Sequence, residues 1–260
     1  MFKALQQLSE QDPLIDARLD GVDQELTVSL YGEVQKEVLV ARLASESGID
    51  AEFMPIRTVH VERVAGVGEA LTIIGTPGNT DLATVGLRIE PGPVGSGFAY
   101  RREVELGGLL LSFHTAIEET VSATLGQGLC GWRVIDCVVT LTHSGYWAPV
   151  SAAGDFRRLT AVVLREALRR AGTTVCAPVS EFEVEIPADS MTQVLQKLHA
   201  AGATPEPPEV QLARCRITGV IPTAQVEAFE QQLPGLTHGE GFFFSRPAGY
   251  EPVHGSPPVR

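Results

Sequence analysis

Residues 181–198 read Glu-Phe-Glu-Val-Glu-Ile-Pro-Ala-Asp-Ser-Met-Thr-Gln-Val-Leu-Gln-Lys-Leu. Phe182, Val184 and Ile186 alternate with glutamates, the period of a strand with one buried face. From Met191 the period changes: Met191, Val194, Leu195 and Leu198 fall at i, i+3, i+4 and i+7, a helix with one apolar stripe. Downstream, Pro205, Pro207 and Pro208 confine any strand over 203–211 to a sheet edge. Cys215, Ile217 and Ile221 share one face of a strand over 212–221. Val226, Phe229 and Leu233 give a second helical stripe, and Gly241–Ser245 closes as a strand. The order βαββαβ is the ferredoxin-like arrangement. It assigns residues 179–247 to one such module and leaves 248–260 as a tail.

Residues 1–56 repeat the pattern with its opening strand missing. A helix over 2–10 ends at Asp12-Pro13. Leu26, Val28 and Leu30 alternate as a strand. Val34, Val38 and Ala41 recur at helical spacing, with Gly48 where a helix C-cap belongs. Residues 50–55 read as extended. A helix beginning almost at Met1 suggests the tail of something longer.

Residues 57–178 differ. Strands over 71–75 and 84–90 flank a Thr76-Pro-Gly-Asn79 turn, and Gly95-Ser-Gly97 is another turn. A helix over 112–125 carries Phe113, Ile117 and Val121. Residues 133–142 read as a buried strand, and 157–171 as an amphipathic helix with Leu159, Val163 and Leu168 inside. Residues 143–155 join the two as an irregular loop. The fold class is α+β, with hinges expected near 56–58 and 178–180.

The 260 residues carry 44% hydrophobic and 20% charged side chains, an ordinary globular balance. No apolar run approaches the ~18–20 residues of a membrane helix, and the N-terminus lacks a signal-peptide pattern. The four cysteines (130, 137, 176, 215) form no C-x-x-C, which points to reduced thiols in a cytoplasmic chain. Net charge is −12, which disfavours indiscriminate nucleic-acid binding. The acidity is uneven: net −7 over 1–70, 0 over 71–180 and −5 over 181–260. The neutral stretch holds the pairs Arg101–Arg102, Arg157–Arg158 and Arg169–Arg170.

Gly126-Gln-Gly-Leu-Cys-Gly131 matches G-x-G-x-x-G by letter. A dinucleotide site needs a strand before it and a helix after it. Here a helix precedes and a strand follows, so the stretch reads as a helix-to-strand turn. No G-x-x-x-x-G-K-[ST] occurs, and the histidines show no metal-ligand spacing. His114 reads as the surface partner of Glu118 four residues on. Glu181, Glu183 and Glu185 read as a solvated strand face. The loop Gly145-Tyr-Trp-Ala-Pro-Val-Ser151 stands out, because it sets two aromatics, a proline and a valine in a polar connection. Such a tip can stack on unpaired bases, and the alternative is that Tyr146 or Trp147 folds back on the core.

Six segments in order resemble the C-terminal part of translational GTPases of the elongation factor G type. They are SEQDPLIDARLD, SLYGEVQKEVL, EPGPVGSGFAYRREVELGGLLLSF, GQGLCGWRVIDCVVTL, SGYWAPVSAAGDFRRL and VLREALRRAGT. Within these the chain looks most like the tetracycline-resistance ribosomal protection proteins, whose Y-x-x-P-V-S-x-x-x-D-F is similar to YWAPVSAAGDF here. The resemblance implies domains three, four and five. Two ferredoxin-like modules would flank an elongated domain of the ribosomal-protein-S5-like type that enters the decoding region of the small subunit. It implies a tip of Tyr146, Trp147, Pro149, Val150 and Ser151 that displaces tetracycline, beside a neighbouring loop with Asn79 and Leu82. Leu82 stands where well-known protection proteins carry tryptophan. Arg157, Arg158, Arg101 and Arg102 are candidate phosphate contacts.

The resemblance places GTP and Mg in a GTPase domain outside this sequence. The chain alone is then expected to need no cofactor or metal and to be no enzyme. Its expected partners are the ribosome and small-subunit rRNA near the decoding centre, as a cytoplasmic monomer with no membrane partner. One rival is the same fragment of elongation factor G or a paralogue acting in translocation. A rival of another class is a stand-alone nucleotide-binding enzyme built on the Gly126–Gly131 turn.

Overall fold

The structure is a computed structural model and describes residues 4–6, 8, 16–19, 26–29, 33–51, 58–253, 255–256 and 258–260. The chain divides into two units, Met1–Arg57 and Thr58–Arg260. In the first, β1 (Asp16–Leu19) pairs antiparallel with β2 (Leu26–Ser29), followed by α1 (Glu33–Ser47). Residues 4–6 and 8 are helical. Leu5, Leu8, Leu39 and Leu43 form its core, with Leu26 and Val28 packed against it. Gly48, at φ 63°, ends α1 as the sequence predicts: its N–H donates to Ala44 O at 3.1 Å. The strand expected over 50–55 and the hinge at 56–58 lie largely outside the described residues. Residues 50 and 51 are irregular.

The second unit begins with β3 (Val61–Val64), β4 (Gly68–Thr72), β5 (Ala83–Pro91) and β6 (Phe98–Arg102). Then come α2 (Leu111–Thr124), β7 (Arg133–Ile135), β8 (Cys137–Tyr146) and α3 (Ala153–Ala171). One sheet has the order β4-β5-β8-β6, with β6 parallel to β8 and the other pairs antiparallel. Val85, Leu87 and Ile89 of β5 alternate onto the face that α2 and α3 cover with Phe113, Ile117, Phe156 and Val163. Period-two burial meeting period-3.6 burial is what makes this a two-layer domain.

The single strand expected over 133–142 is two strands in two sheets. Asp136, at φ 52°, breaks it, an accessible conformation for aspartate at a sharp bend. β7 runs parallel to β3 in the second sheet, whereas β8 enters the first. The expected loop 143–155 is also shorter. β8 continues through Tyr146 and α3 starts at Ala153, leaving 147–152. Asp155 lies inside α3. It sits in the first turn, and its carboxylate accepts the Ala152 N–H at 2.8 Å.

The remaining elements are β9 (Thr173–Pro187), α4 (Met191–Ala200), β10 (Thr204–Pro205), β11 (Glu209–Gln211), β12 (Arg214–Pro222), α5 (Thr223–Leu236) and β13 (Phe242–Pro252). β12, β9 and β13 are neighbours, with β10 and β11 short pieces on the outer edge of β12, where the prolines placed them. Phe182, Val184, Ile186, Cys215 and Ile217 meet Val194, Leu198, Phe229 and Leu233, completing the ferredoxin-like packing read from 181–198.

The expected boundary at 178/179 is not a linker. β9 crosses it without interruption, pairing with β3 at Thr173–Cys176 and with β12 at Val179–Pro187. β13 pairs with β9 along both stretches, from Glu185 back to Cys176, so residues 248–252 are strand and not tail. The middle and third stretches thus share one seven-stranded sheet, and no hinge stands at 178–180. The sequence of β9 conceals this continuity because its period-two pattern is clear only from Phe182 onward.

Candidate functional site

The ends of β8 and α3 hold the 147–152 loop against the loop that joins β4 to β5. Tyr146 closes β8 opposite Ala83. Its ring meets Phe113 edge-on, centroids 5.6 Å apart, and it packs on the domain core. Tyr146 is thus a foundation of the loop and not an exposed tip residue, which corrects the expectation for it. Trp147 is 50% and Val150 58% exposed, and Pro149 is exposed too. The Trp147 ring lies over Gly75, where an added Cβ would stand 3.2 Å from its edge.

Ser151 pins the loop. Its hydroxyl accepts the Trp147 N–H at 2.8 Å and donates to Leu82 O at 2.5 Å. Val150 N–H and Ser151 N–H both donate to Trp147 O at 2.9 Å. In the neighbouring loop, the Asn79 amide donates to Ile73 O and Ala83 O, at 3.0 and 3.1 Å, and its oxygen accepts the Asp81 N–H. Arg158 ties the first turn of α3 to the neighbouring loop, donating to Asp81 at 2.8 Å and Asp155 at 2.6 Å. Hydrogen bonding to Asp81 raises its already high pKa further. Leu82 contributes its carbonyl to this lacing.

The structure therefore brings Trp147, Pro149, Val150, Ser151, Asn79, Leu82 and Arg158 together. Arg157 stands on α3 and pairs with Glu119 at 3.1 Å. Arg101 and Arg102 lie apart, on the edge strand β6, where alternation sends them to opposite faces. Both are exposed and without an ion pair among the described residues. Asp81 is a tip residue that sequence reading passed over. The run Asn79-Thr-Asp81 was its signal, since asparagine side chains organise the backbone two residues on.

The Gly126–Gly131 turn does cradle an anion, and the anion is the chain's own. Glu62 is fully buried. Its carboxylate accepts N–H bonds from Leu129, Cys130 and Trp132 at 2.8, 2.8 and 3.0 Å, and the Thr173 hydroxyl at 2.6 Å. A Cβ on Gly128 would stand 2.4 Å from Glu62 Oε2, so the glycine is needed for close approach. With the cradle filled, the nucleotide-enzyme rival loses its site. His114 is likewise not the surface residue expected, being only 2% exposed.

All four cysteines are free. Burial and the neighbouring Asp136 push the Cys137 thiol up to about 11. Among the described residues no cluster of acidic, histidine or cysteine side chains could hold a metal, and no helix is long and apolar enough to cross a membrane.

Residues 62–172 match the family described as elongation factor G, domain IV, and residues 174–260 the elongation factor G C-terminus. The chain carries the C-terminal domains of an elongation factor G-like protein. It is 48% identical over its full length to the oxytetracycline resistance protein of Streptomyces rimosus. It is 47% identical over 96% of its length to the tetracycline resistance protein TetM of Streptomyces lividans. It spans 40% and 39% of those two proteins. The crystal structure of a Thermus thermophilus protein superposes with a TM-score of 0.70 over 97% of this chain and 38% of that one, at 23% identity, a likeness of fold. The laced tip belongs to the domain IV segment, and Glu62 and its cradle stand where that segment starts and turns back.

Proposed function

We propose that this chain is the ribosome-binding C-terminal part of a tetracycline ribosomal protection protein, and that its tip dislodges tetracycline from the small-subunit decoding region. The observation that carries this reading is the tip itself. Trp147, Pro149 and Val150 project from a loop whose two ends and neighbour are fixed by Ser151, Asn79 and Arg158. A pre-fixed loop loses little entropy on docking, and its aromatic and aliphatic groups suit contact with a nucleobase or a planar drug. The resistance proteins that the chain matches along its length support the drug assignment over translocation.

In this reading the rRNA phosphates near the decoding centre take Arg157 and Arg158 after these exchange their carboxylate partners, with Arg101 and Arg102 at a second contact. GTP and Mg bind a domain of the parent outside this chain. The chain alone then hydrolyses nothing, and works in the cytoplasm as a monomer.

The test uses the full-length parent expressed in a tetracycline-sensitive host. Trp147→Ala with Val150→Gly, and separately Pro149→Ala, should abolish tolerance while ribosome-stimulated GTP hydrolysis continues. Tolerance that survives both sets of changes would exclude the tip as effector.

A further inference from the structure

The arginines beside the tip are already paired with the chain's own carboxylates. Arg158 donates through Nε to Asp81 and through a terminal nitrogen to Asp155, and Arg157 donates to Glu119. Two guanidinium charges thus face three carboxylates there, a net of −1. Of the other charges on the two helices, Glu118 acts on Tyr100 of β6. Arg165 stands two turns farther along α3, exposed and without an ion pair among the described residues, about 10 Å down the axis.

The carboxylates that hold Arg158 are not equivalent. Asp155 has a second task, because its other oxygen accepts the Ala152 N–H at 2.8 Å where α3 begins. The Asp81 carboxylate accepts from Arg158 alone among the described residues, and the Asn79 side chain fixes the Asp81 backbone N–H at 3.0 Å. Asp81 lies beneath the arginine, its side chain 15% exposed against 63% for Arg158. The guanidinium is therefore open to an incoming phosphate, with a carboxylate fixed behind it.

An ion pair this exposed adds little to stability, so its effect is to be sought in binding. The Asp81 charge opposes any phosphate that approaches Arg158. It also holds the loop of Leu82 to α3. RNA that offers phosphates and nothing else meets only the opposition. A surface that fits the laced tip also gains from the hold, because a loop fixed beforehand loses less freedom on docking. One carboxylate thereby penalises the wrong partner and favours the right one.

We propose that Asp81 is a specificity-determining residue of the tip: by occupying Arg158 it withholds that arginine from RNA at large and keeps the tip shaped for its own site. The proposal rests on the ribosome-binding reading above for the identity of that site.

The experiment measures the full 260-residue chain against a labelled poly(U) strand of about 30 nucleotides and against intact ribosomes. Asp81→Asn should tighten poly(U) binding about three- to tenfold and steepen its log–log salt slope by ~0.7, one further phosphate contact on a single strand. Ribosome binding should stay equal or weaken. Adding Arg158→Gln to Asp81→Asn should erase the gain, since the gain runs through that arginine. Glu240→Gln removes the same charge at an exposed position beyond α5 and should change neither affinity. A poly(U) gain that is missing in Asp81→Asn, matched by Glu240→Gln, kept without Arg158 or accompanied by an equal gain on ribosomes overturns this proposal alone. Failure of the unmodified chain to bind ribosomes overturns the ribosome-binding reading instead, and the poly(U) series still decides whether Asp81 masks Arg158.

Discussion

The hydroxyl of Ser151 donates to the carbonyl oxygen of Leu82 across 2.5 Å, joining two loops that lie 69 residues apart in sequence. The same hydroxyl oxygen accepts the Trp147 N–H. The expected result of Ser151→Ala is a loss of about 1 kcal/mol, the ordinary worth of a hydrogen bond whose freed partners can reach water. Faster amide exchange at Trp147 should accompany it. Unchanged exchange there would show that the hydroxyl does not hold the loop.

Tyr146 and Val150 should separate structure from tip chemistry. Tyr146→Ala removes a ring packed on Phe113 and should cost about 2–4 kcal/mol, as truncation of a large, partly buried aromatic does. Val150→Gly, at an exposed position, should move stability by less than about 1 kcal/mol. Urea unfolding of the two variants measures both. Equal losses would mean that Val150 is also part of the packing.

Removing the Glu62 carboxylate should destabilise the domain more than any tip change. Glu62→Ala leaves three part-buried N–H groups and a hydroxyl without their acceptor, and the expected cost is about 3–5 kcal/mol. Glu62→Gln keeps the shape and one acceptor, so its loss should be smaller. The order Ala worse than Gln, read from denaturant midpoints, is the check. A neutral Glu62→Ala would mean that water replaces the carboxylate in the cradle.

The Cys137 thiol supplies a pH dependence with a defined sign. In the folded chain it stays neutral up to about 11, against an ordinary value of 9.0. The unfolded state therefore releases its proton first, and the stability present below about pH 9 falls as pH rises toward 11. Cys137→Ala should flatten that part of the stability–pH curve. A thiol-specific reagent at pH 8 should label half-exposed Cys130 well before buried Cys137.

Where the sequence was legible, one periodicity governed a whole element. Phe182–Ile186, Met191–Leu198 and the Pro205–Pro208 edge were each placed by local pattern, and Gly48 by helix-end chemistry. Legibility failed where a long-range partner decided the outcome. Nothing local to residues 133–142 announces that Asp136 will bend the chain from one sheet to another; Arg63 reaches it from β3 at 2.9 Å. His114 beside Glu118 reads as a surface pair until α2 is rotated by its apolar stripe, which carries the histidine inward. At the tip, the exposed apolar residues were visible in the letters, whereas the inward role of Tyr146 depended on β8 running four residues farther than its hydrophobic run.

β9 joins the tip-bearing sheet's neighbours to the third module through fifteen uninterrupted residues, ~50 Å of extended chain at ~3.3 Å per residue. Arg63 adds a cross-brace, bonded to Asp136 on one side and to Tyr250 O of β13 on the other. Such a joint behaves as a beam and not as a knee. If the tip acts as proposed, the reaction force would pass along this strand to whatever grips the third module. The leverage available at Trp147 and Val150 is then set by the strength of that far grip, so a weakened anchor and a blunted tip should produce the same loss of thrust.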